Sequence, residues 1–296
     1  MRPSLLLLLG VTLAPPAFAQ GRGKAPPPPP NPSTAKRTAA ITGELKLVYN
    51  KDVGYATGAE DDLPIGPDYL TAGADGQVAL YDAVRDEVIV AELGKGVVGR
   101  FAAGQIDGLG WAPGNKVVLM DGSVGQLNVY ETDGTKVATH DVQENLPDGA
   151  TLSLHNGVIT VHRKDGSAKD VAVLVDGKPV PIAQQKDVTE AAIKLTPSGG
   201  VTINGEAVEI GDSVKASFQV IPGRPPWIEV EAVNSNDDGS IRVDRWAARV
   251  GVVPYPLPVA TEGYRPSFDV ATDSAGALYF LDPGPKAVRV VRVEVQ

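Results

Sequence analysis

The sequence has no cysteine, only three histidines and two methionines, and an aromatic content of 5%. Without cysteine there is no disulfide framework, no thiol nucleophile and no thiolate-bound zinc, so the fold has to stand on its hydrophobic core. No apolar run approaches the ~18 residues of a spanning helix, which excludes an internal transmembrane segment. The phosphate-binding loop, the G-x-S-x-G nucleophile elbow and the H-E-x-x-H zinc motif are all missing. A net charge of −9 leaves no basic surplus to neutralise a phosphate backbone, so nucleic acid is not an expected partner. What the 296 residues do contain is 33 glycines, 25 prolines and 43% hydrophobic residues. Beyond the N-terminal segment that is enough for one large packed domain or two smaller ones, and a charged content of 21% is too ordinary for a wholly disordered chain.

The N-terminus reads as an export signal. Arg2 supplies a positive start, Leu5 to Ala14 form a short apolar stretch, and Ala17-Phe18-Ala19 before Gln20 follows the A-x-A cleavage pattern. Residues 1–19 are therefore expected to be a cleaved signal peptide, and the lack of cysteine excludes a lipoprotein. Export without cysteines fits a bacterial periplasmic or secreted protein. Residues 20–40 are expected to be a disordered, proline-rich basic linker. Pro26 to Pro30 favour a stiff polyproline II spacer, and Arg22, Lys24, Lys36 and Arg37 meet no acid. From residue 38 onward, 22 Lys and Arg face 36 Asp and Glu, a balance of −14. The basic segment is either a passive spacer or an arm that touches anionic envelope polymer or lipid.

Beyond residue 40 the hydrophobic period is two. Glu44 to Tyr49, Gln77 to Tyr81 and Ala287 to Val293 alternate or run β-branched, and no window carries a helical stripe. Hairpin dipeptides recur: Asp75-Gly76, Asp133-Gly134, Asn156-Gly157, Asp165-Gly166, Asp176-Gly177, Asn204-Gly205 and Asp238-Gly239. Each predicts a type I′ turn, whose positive φ angles match the twist of paired strands.

A degenerate repeat organises these strands. A turn with proline and an acid leads to an apolar strand, a glycine turn, and a second strand ending in a polar residue; Gly66 to Asp82 is the clearest copy. Copies start at 67, 106, 147, 189, 226 and 266, a spacing of about 40 residues, which is one four-stranded sheet. The last copy has room for three strands only, and Glu44 to Lys51 is a spare strand ahead of the first. The expected fold is all-β: a six-bladed β-propeller of four-stranded antiparallel blades over residues 41–296, its ring closed by the N-terminal strand pairing with the last blade. A pair of β-sandwich domains is the competing architecture. The repeat grammar resembles the six-bladed propellers of the NHL-repeat and SMP-30-like group, most clearly over 66–90 and 266–293. WD40 repeats fit less well, because no Trp-Asp dipeptide occurs.

In a propeller the residue after each repeat start begins the innermost strand, beside the mouth of the central channel. That column is Asp68, Asp107, Asp148, Glu190, Trp227 and Ser267. Converging carboxylates there either cap backbone N–H groups or hold a ligand or a divalent cation such as calcium. The resemblance implies the last use, because acids at the channel mouth of SMP-30-like lactonases hold a metal; no residue-by-residue match to that ligand set is present. A second column, Asp82, Asp121, His162, Asn204, Asp244 and Asp282, reads as turn chemistry. Asn234, Asn236 and Asp238 with Gly239 mimic the first half of a calcium loop, but Arg245 stands where the final glutamate belongs. His155 and His162, with Asp165, could ligate a metal, and Trp227 and Tyr264 are expected as exposed anchors.

Three functions remain open: a non-enzymatic scaffold binding a protein or small ligand in the cell envelope, a metal-dependent hydrolase of the lactonase type, and a carbohydrate or cell-wall binder using Trp227.

Overall fold

The computed structural model describes residues 36–57, 64–142, 150–155, 157–164, 168–181, 193–195, 201–203, 206–208, 215–221, 227–235, 239–249, 251–259, 264 and 266–296. Among them the secondary structure is strand throughout, apart from a single 3-10 turn at Ala74–Gly76. No described helix is long and apolar enough to cross a membrane. The expected signal segment and most of the expected linker, residues 1–35, lie outside the described residues.

Strand β1 (Ala39–Val48) comes first, two residues before the expected boundary. The first meander is β2 (Pro67–Ala72), β3 (Gln77–Asp82), β4 (Glu87–Glu92) and β5 (Gly96–Ala102). The second is β6 (Gly108–Ala112), β7 (Lys116–Asp121), β8 (Gln126–Glu131) and β9 (Lys136–Asp141). The third is β10 (Thr151–His155), β11 (Val158–His162), β12 (Ala168–Val175) and β13 (Lys178–Pro181). Three strands of a fourth follow: β14 (Ile193–Leu195), β15 (Val201–Ile203) and β16 (Glu206–Val208). The fifth is β17 (Lys215–Ile221), β18 (Trp227–Ser235), β19 (Ile241–Ala248) and β20 (Tyr255–Leu257). The last is β21 (Val270–Thr272), β22 (Leu278–Pro283) and β23 (Ala287–Val295). Its fourth place is filled by β1, which pairs antiparallel with β23 from Ala39↔Val295 to Val48↔Ala287, with one bulge between Ile41 and Gly43. Successive four-stranded meanders are the building unit of a β-propeller.

Period-two patterning explains how the sheets stack. On β3, Val78 and Leu80 join a core with Leu45 and Leu47 of β1 and with Tyr279 and Leu281 of β22. The alternate residues, Ala79 and Tyr81, face Leu109, Val117 and Leu119 of the second meander. The opposite face of β7, Val118 and Met120, packs on Leu152, Leu154 and Ile159 of the third. Leu278 and Phe280, on the other face of β22, pack against Ile221, Trp227 and Leu257 of the fifth. β3, β7 and β22 thus bury both faces, which is why these segments read as nearly continuous apolar runs rather than clean alternation. Each fully buried Leu, Ile or Val stabilises by about 1.5–3 kcal/mol.

First strands of neighbouring meanders meet side by side. β6 and β10 pair in parallel through Gly108↔Leu154 and Leu109↔His155, and Tyr69 of β2 bridges Phe268 just ahead of β21 in the same sense. Gly108 is required there: a Cβ would sit 2.3 Å from the Leu154 carbonyl oxygen.

Two sequence expectations shift. Asp75-Gly76 and Asp176-Gly177 have positive φ at both positions, as type I′ turns need, but at Asp133-Gly134 only the glycine does. There the Asp133 carboxylate accepts the Thr135 N–H (2.8 Å), closing an Asx turn instead. The fifth repeat was also expected to open at 226, whereas its sheet opens with β17 at 215. Pro225-Pro226 lies between the first and second strands of this sheet, not ahead of the first.

Candidate functional site

Of the column expected at the channel mouth, Asp68, Asp107, Trp227 and Ser267 are among the described residues. Asp68 is the second residue of β2, and Asp107 stands one residue ahead of β6. Both lie near the Tyr69 ring, whose hydroxyl is pushed up to about 12 by burial first and then by the charges of Asp68 and Asp107. Each carboxylate is engaged with backbone. Asp68 Oδ1 accepts the Ser267 N–H at 2.6 Å, and the Asp68 carbonyl accepts that of Phe268 at 3.1 Å, so the residue clamps the first sheet to the last. Asp107 Oδ2 accepts the Gly122 N–H at 2.8 Å, while its carbonyl accepts that of Leu154 at 3.2 Å. Asp148, Glu190, Asn236 and Asp238 lie outside the described residues, as does the side chain of Asn234.

Trp227 corrects its expectation. It is fully buried at the start of β18, packed between the fifth and last sheets, with Nε1 donating to the Gly276 carbonyl at 3.1 Å. The repeat phase is slipped by one strand here, so Trp227 opens a second strand and not an innermost one. Tyr264, also expected at the surface, is only 3% exposed and packs on Tyr49 and Tyr55. The histidine pair does not converge either. His162 opposes Thr151 and His155 opposes Val158 in one hairpin, about 13 Å apart along the strands. His162 Nε2 lies 2.7 Å from Ser153 Oγ. Among the described residues no three His, Asp or Glu side chains gather as metal ligands would.

The second column behaves as turn chemistry at Asp82 and Asp121, whereas Asp244 binds Arg242, Asp282 binds Arg289 and His162 stands against Ser153. Asp82 is wholly buried and accepts N–H bonds from Val84, Arg85 and, across the sequence, Gly54. Asp121 accepts from the Ser123 N–H and hydroxyl and from the Val124 N–H.

What the sequence reading missed lies where the first strands converge. Tyr81, Tyr69, Phe268 and His155 form a file of rings with centroid separations of 6.0, 5.2 and 4.4 Å. The file runs from the first sheet through the segment ahead of β21 to the end of β10. Burial pushes the His155 imidazole down to about 3, so it is neutral at neutral pH. Beside it is a cavity of about 60 Å³ lined by His155, Glu229, Arg245, Ser267, Phe268 and Asp269. That volume takes a water or two and is well below a substrate pocket.

Arg245 organises the cavity wall. Its Nη1 and Nη2 grip Asp269 at 2.8 Å each, Nε and Nη2 bind Glu229 at 3.0 and 2.5 Å, and Nη1 also donates to the Pro258 carbonyl at 3.0 Å. All five N–H donors are used. Burial opposes the guanidinium charge, but Asp269 and then Glu229 outweigh it, and the net shift of its pKa is upward. The group is a permanent cation locking β18, β19 and the approach to β21 together. A signal was present: Arg245 sits at an inward period-two position, with Val243 and Ala247 on the same face of β19, and an inward arginine needs carboxylates.

No protein-family model matches the chain, and no curated protein sequence matches it. Solved structures do. A member of the DUF4221 family from Bacteroides vulgatus is 5% identical, with 89% of this chain and 99% of that one covered and a TM-score of 0.44. Virginiamycin B lyase from Staphylococcus aureus is 10% identical over 87% of this chain and 100% of the other, TM-score 0.39. A gluconolactonase from Xanthomonas campestris is 11% identical over 86% and 100%, TM-score 0.31. The architecture of this chain stands on its own strand pairing.

Proposed function

We propose that the chain is an exported bacterial six-bladed β-propeller that serves as a non-enzymatic binding scaffold in the cell envelope, engaging a protein, a small ligand or a glycan. On this reading the fourth sheet completes a ring between the third and fifth, and β1 closes it on β23. The export signal at 1–19 and the basic linker after it support the location. One observation carries the scaffold over the lactonase-type hydrolase: the two described channel-mouth acids, Asp68 and Asp107, are committed to backbone N–H groups as clamps between and within blades. The tight aromatic file and the small cavity beside it support the same reading, because the convergence of first strands is built for packing. Ligand recognition then falls to the loops and outer surfaces.

The test is a thermal melt of the protein after chelation and again with calcium, magnesium and zinc added singly. A scaffold whose acids are clamps gives the same melting temperature in all four conditions. A rise of several degrees with one ion means the native state binds it. Loss of that rise in Asp107→Asn, together with turnover of a lactone, would replace the scaffold with the metal-dependent hydrolase.

A further inference from the structure

Arg249 follows the end of β19 and is only 8% exposed. Its Nη1 donates to the Gly276 carbonyl at 3.2 Å, and its guanidinium carbon stands 5.5 Å from the centre of the Trp227 ring. Nε is buried and has no acceptor. No carboxylate among the described residues pairs with this arginine. The contrast with Arg245, four residues earlier within β19 and surrounded by two carboxylates and a carbonyl, is sharp.

A second cation is held alongside. Arg37 N–H donates to the Gly251 carbonyl at 3.0 Å and the Arg37 carbonyl accepts the Val253 N–H at 2.9 Å, which fixes the backbone of Arg37 two to four residues beyond Arg249. The Arg37 side chain is exposed and forms no ion pair with a described residue. Burial, and then the positive charge of Arg37, lowers the Arg249 pKa. A buried cation is ordinarily paired, and two neighbouring cations with no anion repel one another. The Arg249 Nε is a buried donor left without an acceptor, and a guanidinium donor of this kind is satisfied by an oxygen of a carboxylate or phosphate.

From this arrangement we infer that Arg249 and Arg37 form a binding site for a small oxyanion, a carboxylate or phosphate group, at the junction of the N-terminal segment with the fifth sheet. Trp227 and the Gly276 carbonyl hold the Arg249 fork in place, and Arg37 supplies the second charge from the solvent side. The site is independent of the channel mouth, so its fate does not depend on the scaffold reading.

The experiment is calorimetric titration of the protein with inorganic phosphate and, separately, with acetate, at constant ionic strength set by chloride. Saturable one-site binding of either probe is expected. Phosphate alone points to a phosphoryl group as the natural ligand, and acetate as well points to a carboxylate. Because Arg37 is exposed, Arg37→Ala keeps the fold, and its affinity should fall about tenfold, the loss of one charge-assisted contact. Arg249→Lys keeps the charge and loses the fork, and should weaken binding at least as much. Absence of saturable binding by both probes overturns the site. So does binding that Arg37→Ala and Arg249→Lys both leave unchanged.

Discussion

Replacing Trp227 by alanine separates the observed packing from the sequence expectation of an exposed anchor. The ring is fully buried and lies in the cluster with Ile221, Leu257, Val270 and Phe280 that joins the fifth and last sheets. Truncating a buried tryptophan to alanine costs about 3–5 kcal/mol, as lost transfer energy plus the cavity left behind. The Nε1 hydrogen bond to the Gly276 carbonyl is a smaller part, about 1 kcal/mol. Trp227→Phe isolates that part, because it keeps most of the apolar volume and Gly276 retains its bond from Arg249 Nη1. Phe should therefore cost about 1–2 kcal/mol, and Ala two to three times as much. Urea unfolding followed by circular dichroism reads both as a fall in midpoint with an unchanged slope. An alanine variant within about 0.5 kcal/mol of the parent would put the ring at the surface and refute this packing.

Other expectations follow from the convergence of first strands. His155 is held neutral, its pKa depressed from 6.5 to about 3, so the unfolded chain binds its proton first as pH falls. Its contribution is fully present above pH 6.5 and is lost on acidification toward pH 3, by as much as ~1.4 kcal/mol per pH unit. Glu229, Asp269 and Arg245 line the same cavity, so the measurement is the difference in pH slope between the parent and His155→Phe. Equal slopes from about pH 6.5 to 5 would contradict the assignment. Arg245→Met should cost about 3–5 kcal/mol by leaving Glu229 and Asp269 buried without their cation. Adding Glu229→Gln and Asp269→Asn should recover much of that loss in thermal unfolding. No recovery would mean the arginine acts through packing alone.

The legible and illegible parts of this fold have distinct physical causes. Three strands after residue 266 and one spare strand before residue 67 left few ways to satisfy both edges, and β1 does pair with β23. Asp75-Gly76 and Asp176-Gly177 were readable because type I′ geometry selects residues that tolerate positive φ. The fifth sheet was misphased because Pro225-Pro226 was taken as the turn opening the repeat, and the Gly211-Asp212-Ser213 signal ahead of Lys215 was passed over. That one-strand slip placed a buried tryptophan in the channel-mouth column. The roles of Asp68 and Asp107 could be narrowed to a cap or a ligand, but choosing required the positions of the Ser267 and Gly122 N–H groups, both distant in sequence. Arg245 was noticed only as a misfit in a calcium loop. Its partners lie on another strand and ahead of β21, so pairing could be anticipated from its inward position but not assigned.

Ring closure by the N-terminal strand is the central claim, and the absence of cysteine makes it directly testable. Lys46 and Arg289 are direct partners in the β1–β23 register, and both are exposed. In the double variant Lys46→Cys/Arg289→Cys the two introduced thiols have only each other to pair with inside the chain. Mild oxidation should give one intramolecular disulfide, seen as a faster-migrating band without reductant and as the loss of both free thiols. A monomer whose two thiols remain free under the same oxidant would contradict the closure.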